Sequence, residues 1–216
     1  MRSTLIFDHS EQGSEDWAKA RLGVITASKA HALMPNGRGK GYKDSRDTYM
    51  LDLIEEIVSG EGEEIKAEAL EWGKKNERPC RSLYEFESGN KVQETGLVFK
   101  DDLRRVAFSP DGLILDKNGG VEFKCPITVK KHLDFIFNGK VNPEYRSQVQ
   151  FSLWASKCDF WDFGSYHPKM PSKVLHYVTF TPDIELMSYL DFEVPKFIHE
   201  MDLKLKELGI DFNNKK

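Results

Sequence analysis

Cysteine is scarce in this sequence, and its spacing argues against two classes of site. The 216 residues contain three cysteines, Cys80, Cys125 and Cys158, which lie far apart and include no C-x-x-C pair. Such spacing argues against a disulfide framework and against a zinc or iron–sulfur site. It is typical of proteins in a reducing compartment, so we expect a cytoplasmic location.

Long apolar runs are also absent. No stretch approaches the roughly 18 residues that a membrane-spanning helix needs. The first eight residues lack the apolar core of a secretory signal, so we expect neither secretion nor membrane attachment. The chain also shows no internal repeat and no low-complexity segment.

The chain has no excess of positive charge. Lysine and arginine total 31 against 35 aspartate and glutamate residues, for a net charge of −4. This balance is not that of a protein that coats nucleic acid non-specifically. A nucleic-acid enzyme could still show it if basic residues are concentrated where the substrate passes.

The order of predicted elements indicates an α/β fold. We expect one domain over residues 1–216, with a mainly helical part (1–90), a sheet part that carries the catalytic core (91–182), and a C-terminal helix and tail (183–216). Pro79 is predicted to kink or restart its helix, and Pro195 to interrupt the C-terminal one. Helices are predicted near 14–22, 28–33, 45–58, 67–87, 128–138, 143–156 and 183–208, and strands near 91–99, 104–108, 112–116, 120–125, 159–166 and 174–180. This order predicts a mixed central sheet with helices on both sides.

Residues 107–126 have the pattern of a β-hairpin with a turn before it. An apolar run over 113–115 and an alternating run over 121–125 flank Lys117-Asn-Gly-Gly120, which is predicted to supply the positive φ angles of the hairpin turn. The preceding turn, Ser109-Pro-Asp-Gly112, brings Asp111 to the start of the first strand.

This hairpin predicts a catalytic cluster. Glu122 and Lys124 are two residues apart and therefore project from the same face of their strand. The hairpin returns Asp111 beside them, so two carboxylates and an ammonium converge. Two hard oxygen ligands at a strand end suit Mg²⁺, and a neighbouring lysine can orient a water or offset charge on a phosphate. The pattern indicates a metal-dependent phosphodiesterase.

The acidic-x-lysine tripeptide alone is not specific. It also occurs at Glu64–Lys66 and at Asp202–Lys204. The alternative for Glu122 and Lys124 is an ion pair on a solvated sheet face, worth at most about 1 kcal/mol. Only the combination with Ser-Pro-Asp-Gly and the surrounding apolar strand favours a nuclease.

Five motifs together resemble a known family. They are Trp17 with Arg21-Leu-Gly-Val-Ile-Thr-Ala-Ser28, Trp72-Gly-Lys with Glu77, Ser109-Pro-Asp-Gly112, Glu122-Phe-Lys-Cys-Pro126, and Gln148-Val-Gln150. In this order and spacing they resemble the lambda-type viral recombination exonucleases, whose core is restriction-endonuclease-like (the PD-(D/E)xK superfamily). The resemblance extends from Trp17 to beyond Met201.

The resemblance implies a role for each catalytic residue. Asp111, Glu122 and the backbone carbonyl of Phe123 would bind one metal ion, and Glu77 would serve a second. Lys124 would position and activate the attacking water. Two Mg²⁺ ions, with Mn²⁺ as a substitute, would clamp the attacking and leaving oxygens.

The resemblance also implies a binding site for a 5′-phosphate. Arg21, Ser28, Ser109 and Gln148 match the family positions that hold this group, and a guanidinium with neutral donors is suitable chemistry for it. Ser28, as a predicted helix cap, would add the helix dipole. Arg38 matches an arginine on a loop that reaches into the duplex.

Family members digest one strand of linear double-stranded DNA in the 5′→3′ direction and leave a 3′ overhang. They act as ring-shaped homotrimers and pass the overhang to a phage single-strand annealing protein, so the resemblance implies a phage or prophage enzyme of a bacterial cell. The chain departs from the family pattern at three places. Pro79 could shift Glu77, Phe123 replaces an aliphatic residue, and the 36–43 loop differs in detail.

Two alternatives remain open on the sequence. One is a structure-specific or sequence-specific DNA endonuclease on the same core. The other is a DNA-end-binding recombination protein without catalytic activity.

Overall fold

Strands and helices alternate along most of the chain. A computed structural model describes residues 5–10, 12–35, 41–62 and 67–214. Its strands are β1 (Ile6–Asp8), β2 (Ile25–Thr26), β3 (Leu97–Phe99), β4 (Val106–Phe108), β5 (Gly112–Ile114), β6 (Gly119–Lys124), β7 (Phe160–Tyr166) and β8 (Leu175–Phe180). Its helices are α1 (Glu15–Arg21), α2 (Gly41–Ser59), α3 (Ala67–Ser88), α4 (Val129–Asn138), α5 (Pro143–Ser156) and α6 (Ile184–Glu207), with a 3₁₀-helix at Ala27–Leu33.

The strands form two mixed four-stranded sheets. The first has the order β1-β3-β4-β2, in which β2 and β4 are parallel. The second has the order β5-β6-β7-β8, in which β6 and β7 are parallel and the outer pairs are antiparallel. The fold is thus the predicted α/β type with mixed sheets flanked by helices, although the hydrogen bonds divide the strands between two sheets.

The second sheet lies between α3 and the α4–α5 pair. On one face, Cys80 and Tyr84 of α3 pack against Val121 and Phe123 of β6. On the other face, Phe163 of β7 contacts the rings of Phe135 in α4 and Tyr145 in α5. Because side chains alternate along a strand, Glu122 and Lys124 face α5 while Val121 and Phe123 face α3. The β5–β6 hairpin is therefore held from both sides of the sheet by buried apolar contacts.

The β5–β6 hairpin forms as predicted, but its glycines serve another purpose. The positive φ at the turn belongs to Asn118, with φ 52°. Gly119 and Gly120 lie within β6, where an added Cβ would come 2.3 Å from the Phe160 ring and 2.4 Å from the Trp161 ring. The predicted segment 117–120 thus supplies its positive φ through Asn118 and not through its glycines. They leave space for two aromatic rings of the neighbouring strand.

Three other expectations are corrected. Helix α6 is not interrupted at Pro195, and α3 does not restart at Pro79, because each helix runs through its proline. Ser28 does not cap a helix, because the cap of the 3₁₀-helix is Thr26 and Ser28 lies inside its first turn. Strands β1 and β2, of three and two residues, were not predicted.

Helix α1 follows the sequence closely. The Ser14 side chain accepts a hydrogen bond from Trp17 N, and acids occupy the first turn. Gly23, with φ 68°, ends the segment as predicted. None of the helices in the described ranges is long and apolar enough to cross a membrane. Arg38 lies outside the described residues.

Candidate active site

The predicted hairpin brings Asp111 and Glu122 together. Asp111 precedes β5, and its Oδ2 accepts a hydrogen bond of 2.5 Å from the backbone N–H of Phe123 in β6. The antiparallel register pairs Gly112 with Val121, so the residue before Gly112 lies opposite Glu122. The pairing of the two backbones therefore brings Asp111 and Glu122 opposite each other.

Glu122, Lys124 and Gln148 form one hydrogen-bonded cluster. Lys124 Nζ donates to Glu122 Oε1 at 2.6 Å, and Gln148 Nε2 donates to the same oxygen at 2.8 Å. Lys124 Nζ also lies 3.3 Å from Gln148 Oε1 and 4.9 Å from the centre of the Tyr145 ring. Glu122 is 3% exposed, so its charge is balanced by these donors rather than by solvent.

Glu77 reaches the site from the other side of the sheet, on helix α3. Its Oε1 accepts a hydrogen bond of 2.7 Å from Nη2 of Arg81, one helical turn later. Arg81 Nε donates to the backbone oxygen of Asp111 at 3.2 Å. Glu77 is therefore joined to the Asp111 turn through Arg81, while Glu122 is held by Lys124 and Gln148.

The carboxylates at the site repel one another. Burial raises the pKa of Asp111 well above its usual range, and the neighbouring charge of Glu122 raises it further. Burial also raises the pKa of Glu77, with Arg81 acting in the opposite direction. For Lys124, burial alone would lower the pKa, but Glu122 and Asp111 outweigh it and the pKa is raised. Lys124 is thus a protonated donor in this cluster.

The donor set suits a hard divalent cation. Asp111 and Glu122 supply carboxylate oxygens, and their mutual repulsion, which raises the pKa of Asp111, is what a bound cation would relieve. The Phe123 carbonyl is adjacent in β6. Within the described residues, however, no three His, Cys, Asp or Glu side chains form a ready metal-binding group. Asp111 and Glu122 thus suit one cation, whose other ligands would be water and substrate oxygens. Glu77 is not part of this pair and is hydrogen-bonded to Arg81 instead.

Two of the four predicted phosphate-binding residues are in direct contact. Arg21 Nη2 donates to Ser28 Oγ at 3.4 Å, and Ser28 Oγ lies 3.3 Å from Thr26 Oγ1. The guanidinium of Arg21 stacks on the Trp17 ring, 4.1 Å from its centre. This stacking fixes the plane of the guanidinium and leaves hydroxyl and N–H donors close together.

Ser109 and Gln148 lie on elements next to this pair. β2 and β4 are parallel, with Thr26 opposite Ala107, so Ser28 and Ser109 both follow the carboxyl ends of neighbouring strands. Helix α5, which carries Gln148, packs against the 3₁₀-helix that carries Ser28. The side chain of Gln148 is nevertheless engaged with Glu122 and Lys124, and no hydrogen bond of the Ser109 side chain is seen within the described ranges.

An open cavity of about 760 Å³ adjoins the cluster. Its lining includes Glu77, Asp111, Lys124 and Cys125 together with residues of the 94–96 segment. Glu77, Asp111 and Lys124 therefore border a space that is open to a large substrate, whereas Glu122 is buried behind them.

Sequence reasoning missed Arg81, although a signal was available. Glu77 and Arg81 are four residues apart, the spacing at which opposite charges meet on one helix face. It also missed the contact of Lys124 with Tyr145, which depends on helix packing and leaves no local signal.

Comparison with known proteins places this chain in a family. A model of the YqaJ-like viral recombinase domain matches residues 16–159, more than half of the chain. The Escherichia coli K12 protein ExoD is 39% identical over 72 residues, which cover 33% of this chain and 83% of that protein.

Solved structures agree with this match. The alkaline exonuclease LHK-Exo of Laribacter hongkongensis is 32% identical with a TM-score of 0.78, over 91% of this chain and 96% of that one. Its complex with dAMP is 31% identical with a TM-score of 0.78, over 90% and 96%. A phage related exonuclease of Haemophilus somnus 129PT, 14% identical with a TM-score of 0.71 over 86% and 96%, shares the fold. The expected resemblance to viral recombination exonucleases is confirmed, and the chain belongs to the family of the YqaJ-like viral recombinase domain.

Proposed function

We propose that this chain is a recombination exonuclease that degrades one strand of linear double-stranded DNA in the 5′→3′ direction. It releases mononucleotides from 5′-phosphorylated ends and leaves a 3′ overhang. The observation that carries the proposal is the cluster of Glu122, Lys124 and Gln148, hydrogen-bonded beside Asp111 at the edge of an open cavity. The match to LHK-Exo, described as an alkaline exonuclease, supports it.

The proposal includes Mg²⁺ as the cofactor, with Mn²⁺ as a substitute. Asp111, Glu122 and the Phe123 carbonyl would hold one ion, and Glu77 would serve a second. When bound, these ions supply Lewis-acid stabilisation of the charge that develops on the phosphate oxygens. Support comes from the donor set, which is hard oxygen throughout, and from the repulsion between Asp111 and Glu122.

Lys124 orients the attacking water or the phosphate through hydrogen bonds. Its ammonium donates to Glu122 Oε1 at 2.6 Å and to Gln148 Oε1 at 3.3 Å, which leaves its third N–H for the attacking water or a phosphate oxygen. Attack of water on phosphorus breaks the bond to the 3′-oxygen of the terminal nucleotide. That oxygen takes a proton, and the next nucleotide keeps the phosphate. Because Lys124 is protonated in this cluster, its direct contribution is donation of hydrogen bonds.

The Arg21–Ser28 pair explains why a 5′-phosphate would be preferred. A guanidinium carries paired N–H donors that match the oxygens of a phosphate dianion, and this one is stacked on Trp17 and bonded to Ser28. Each cleavage leaves a new 5′-phosphate on the shortened strand. The product of one cycle is therefore the ligand that this pair would bind in the next.

The proposal extends to assembly. As the family resemblance implies, three copies would form a ring around the duplex and pass the 3′ overhang to a phage single-strand annealing protein. A ring could direct basic residues inward and acids outward, which would suit a chain with net charge −4. Sedimentation equilibrium tests the ring: the expected mass is three times the 24.9 kDa of one chain, and a monomer at micromolar concentration would contradict it.

Digestion of three DNAs in Mg²⁺ tests the activity. The substrates are a 5′-phosphorylated linear duplex, a 5′-hydroxyl linear duplex and a covalently closed circle, with end-labelled strands to report the polarity. We expect mononucleotides from the first, slower release from the second, and an intact circle. Release from 3′ ends would refute the polarity.

The same experiment separates the alternatives. Nicking or linearisation of the circle would indicate an endonuclease on this core. Binding of the linear duplexes without turnover in Mg²⁺ or Mn²⁺ would indicate a DNA-end-binding protein instead.

A further inference from the structure

Arg81 has three acceptors, two of which involve proposed metal ligands. Its Nη2 lies 2.7 Å from Glu77 Oε1, its Nε lies 3.2 Å from the backbone oxygen of Asp111, and its Nη1 contacts the carboxylate of Glu94. The side chain of Arg81 is 8% exposed, whereas that of Glu94 is 73% exposed. A buried guanidinium thus links helix α3, the Asp111 turn and the segment before β3.

The shape of the guanidinium makes this link specific. Its N–H groups lie in one plane in a fixed fork, so the bond to Glu77 and the bond to Asp111 O set each other's geometry. Burying a charge is costly unless every donor is used. Such a group is not needed to hold α3 to the sheet, because Cys80 and Tyr84 already pack there.

We infer that Arg81 is a positioning residue for the proposed metal site. It holds one oxygen of Glu77 and the backbone of Asp111 at a fixed separation, although the two residues come from opposite sides of the sheet. Within the described residues the other Glu77 oxygen makes no hydrogen bond, so it is available as a ligand. This inference rests on the proposed function.

Glu94 balances the charge of Arg81. A guanidinium bonded to Glu77 alone would cancel the negative charge that attracts a divalent cation. The Glu94 carboxylate contacts a different nitrogen of the same fork, so the three ionised side chains together keep one negative charge while the direction of Glu77 is fixed. Because Glu94 is mostly exposed, solvent screens this balance, and we expect a smaller effect from Glu94→Gln than from Arg81→Gln.

Metal binding without DNA tests the inference directly. Mn²⁺ binding to wild type and Arg81→Gln is measured by electron paramagnetic resonance. We expect the weaker of two Mn²⁺ ions to lose about 10-fold or more in affinity, as for partners that orient metal ligands. The Mg²⁺ concentration for half-maximal cleavage should rise by a similar factor, while affinity for duplex ends in Ca²⁺ stays within about twofold, because Arg81 holds ligands rather than DNA.

Arg105→Gln is the matched control. Arg105 is also buried, and it forms an ion pair of 2.7 Å with Asp202. It immediately precedes β4, whereas Ser109 follows the other end of that strand. This variant should lose stability without a change in Mn²⁺ affinity. If Arg81→Gln fails to fold, Arg81→Lys replaces it: a single ammonium cannot bridge both acceptors, so an intermediate loss of Mn²⁺ affinity is expected.

Each outcome has a defined meaning. Unchanged or tighter Mn²⁺ binding in the Arg81 variants, or an equal loss in Arg105→Gln, overturns the positioning role and leaves the proposed function intact. A wild-type protein that binds no Mn²⁺ and cleaves no DNA overturns the proposed function and this inference with it.

Discussion

Replacing Gln148 by methionine should separate catalysis from phosphate recognition. The family resemblance assigns Gln148 to the 5′-phosphate, but its amide is bonded to Glu122 and Lys124, the pair that we propose to be catalytic. Nε2 donates to Glu122 Oε1 at 2.8 Å, and Oε1 lies 3.3 Å from Lys124 Nζ. Methionine has a similar length and lacks both groups. We therefore expect Gln148→Met to act on the chemical step.

The geometry gives the size of the effect. The bond to the Glu122 carboxylate is short and charge-assisted, a class worth about 1.5–3 kcal/mol, whereas the 3.3 Å contact contributes little. Glu122 is 3% exposed, so water does not readily replace the lost donor. A loss of about 2 kcal/mol corresponds to a rate lowered roughly 30-fold.

Single-turnover digestion provides the assay. The rate at saturating enzyme is measured on 5′-phosphorylated and 5′-hydroxyl duplexes, and their ratio reports phosphate recognition. Gln150→Met is the matched control on the same helix: Gln150 bonds Thr181 O at 2.9 Å and the Asp183 N–H at 3.0 Å, where α6 begins. It should cost about 1–3 kcal/mol of unfolding free energy and leave the rate unchanged.

One result would refute this reasoning. If Gln148→Met keeps the wild-type rate on phosphorylated ends but loses the preference for them, then Gln148 leaves Glu122 to bind phosphate when DNA is present. A lowered rate with an unchanged ratio supports the assignment to the catalytic pair.

Four further predictions follow from single contacts. Lys124→Ala should lower cleavage by about 10²–10³-fold, because it removes a charged donor at the reacting phosphate, with end binding in Ca²⁺ retained in a fluorescence anisotropy titration. Arg21→Ala should reduce the preference for 5′-phosphorylated ends by about tenfold in competition digests, because a paired donor is lost. Gly120→Ala should cost about 1–3 kcal/mol in thermal unfolding, because the new Cβ would lie 2.4 Å from the buried Trp161 ring. Burial lowers the pKa of His132, so the unfolded chain binds a proton that the native chain does not, and the free energy of unfolding should fall as the pH drops below about 6.5.

Controls make these predictions specific. Gly73→Ala, where an added Cβ meets nothing within 4 Å, should leave stability unchanged or slightly raised. Urea unfolding of His132→Gln at pH 5 and pH 8 should show a smaller difference between the two pH values than wild type. If His132→Gln and wild type show the same pH dependence of unfolding, groups other than His132 cause it. Near-wild-type cleavage by Lys124→Ala would remove Lys124 from the mechanism.

Local patterns predicted most of the helices and the β5–β6 hairpin. The observed α4 and α5, Val129–Asn138 and Pro143–Ser156, agree closely with the predicted 128–138 and 143–156. Their boundaries depend on residues that act within a turn, such as the Asn142 side chain, which accepts from Glu144 N. The side-chain alternation of β6 was likewise predictable, because a period of two needs no information from distant residues.

Features that depend on distant residues were not predictable in the same way. The segment 117–120 was assigned to a turn, but glycine is needed at 119 and 120 because the rings of Phe160 and Trp161, some 40 positions later, occupy the space of a Cβ. Strands β1 and β2 are too short to show a periodic pattern and exist through pairing with β3 and β4. Pro195 remains inside α6 because its neighbours Val194 and Phe197 are buried in the core, and that packing outweighs one lost hydrogen bond.

The site divides into two parts that the sequence predicts unequally. Asp111, Glu122 and Lys124 lie within one hairpin, so their proximity follows from local geometry alone. Glu77 lies on a helix that packs on the other face of β6, and its direction depends on Arg81, whose second bond reaches the Asp111 turn. A motif search detects the hairpin part, because that part is contiguous. The position of Glu77 on α3 follows only from the packed structure. Variants of Arg81 therefore test whether Glu77 must be held in a fixed position, which variants of the motif residues cannot do.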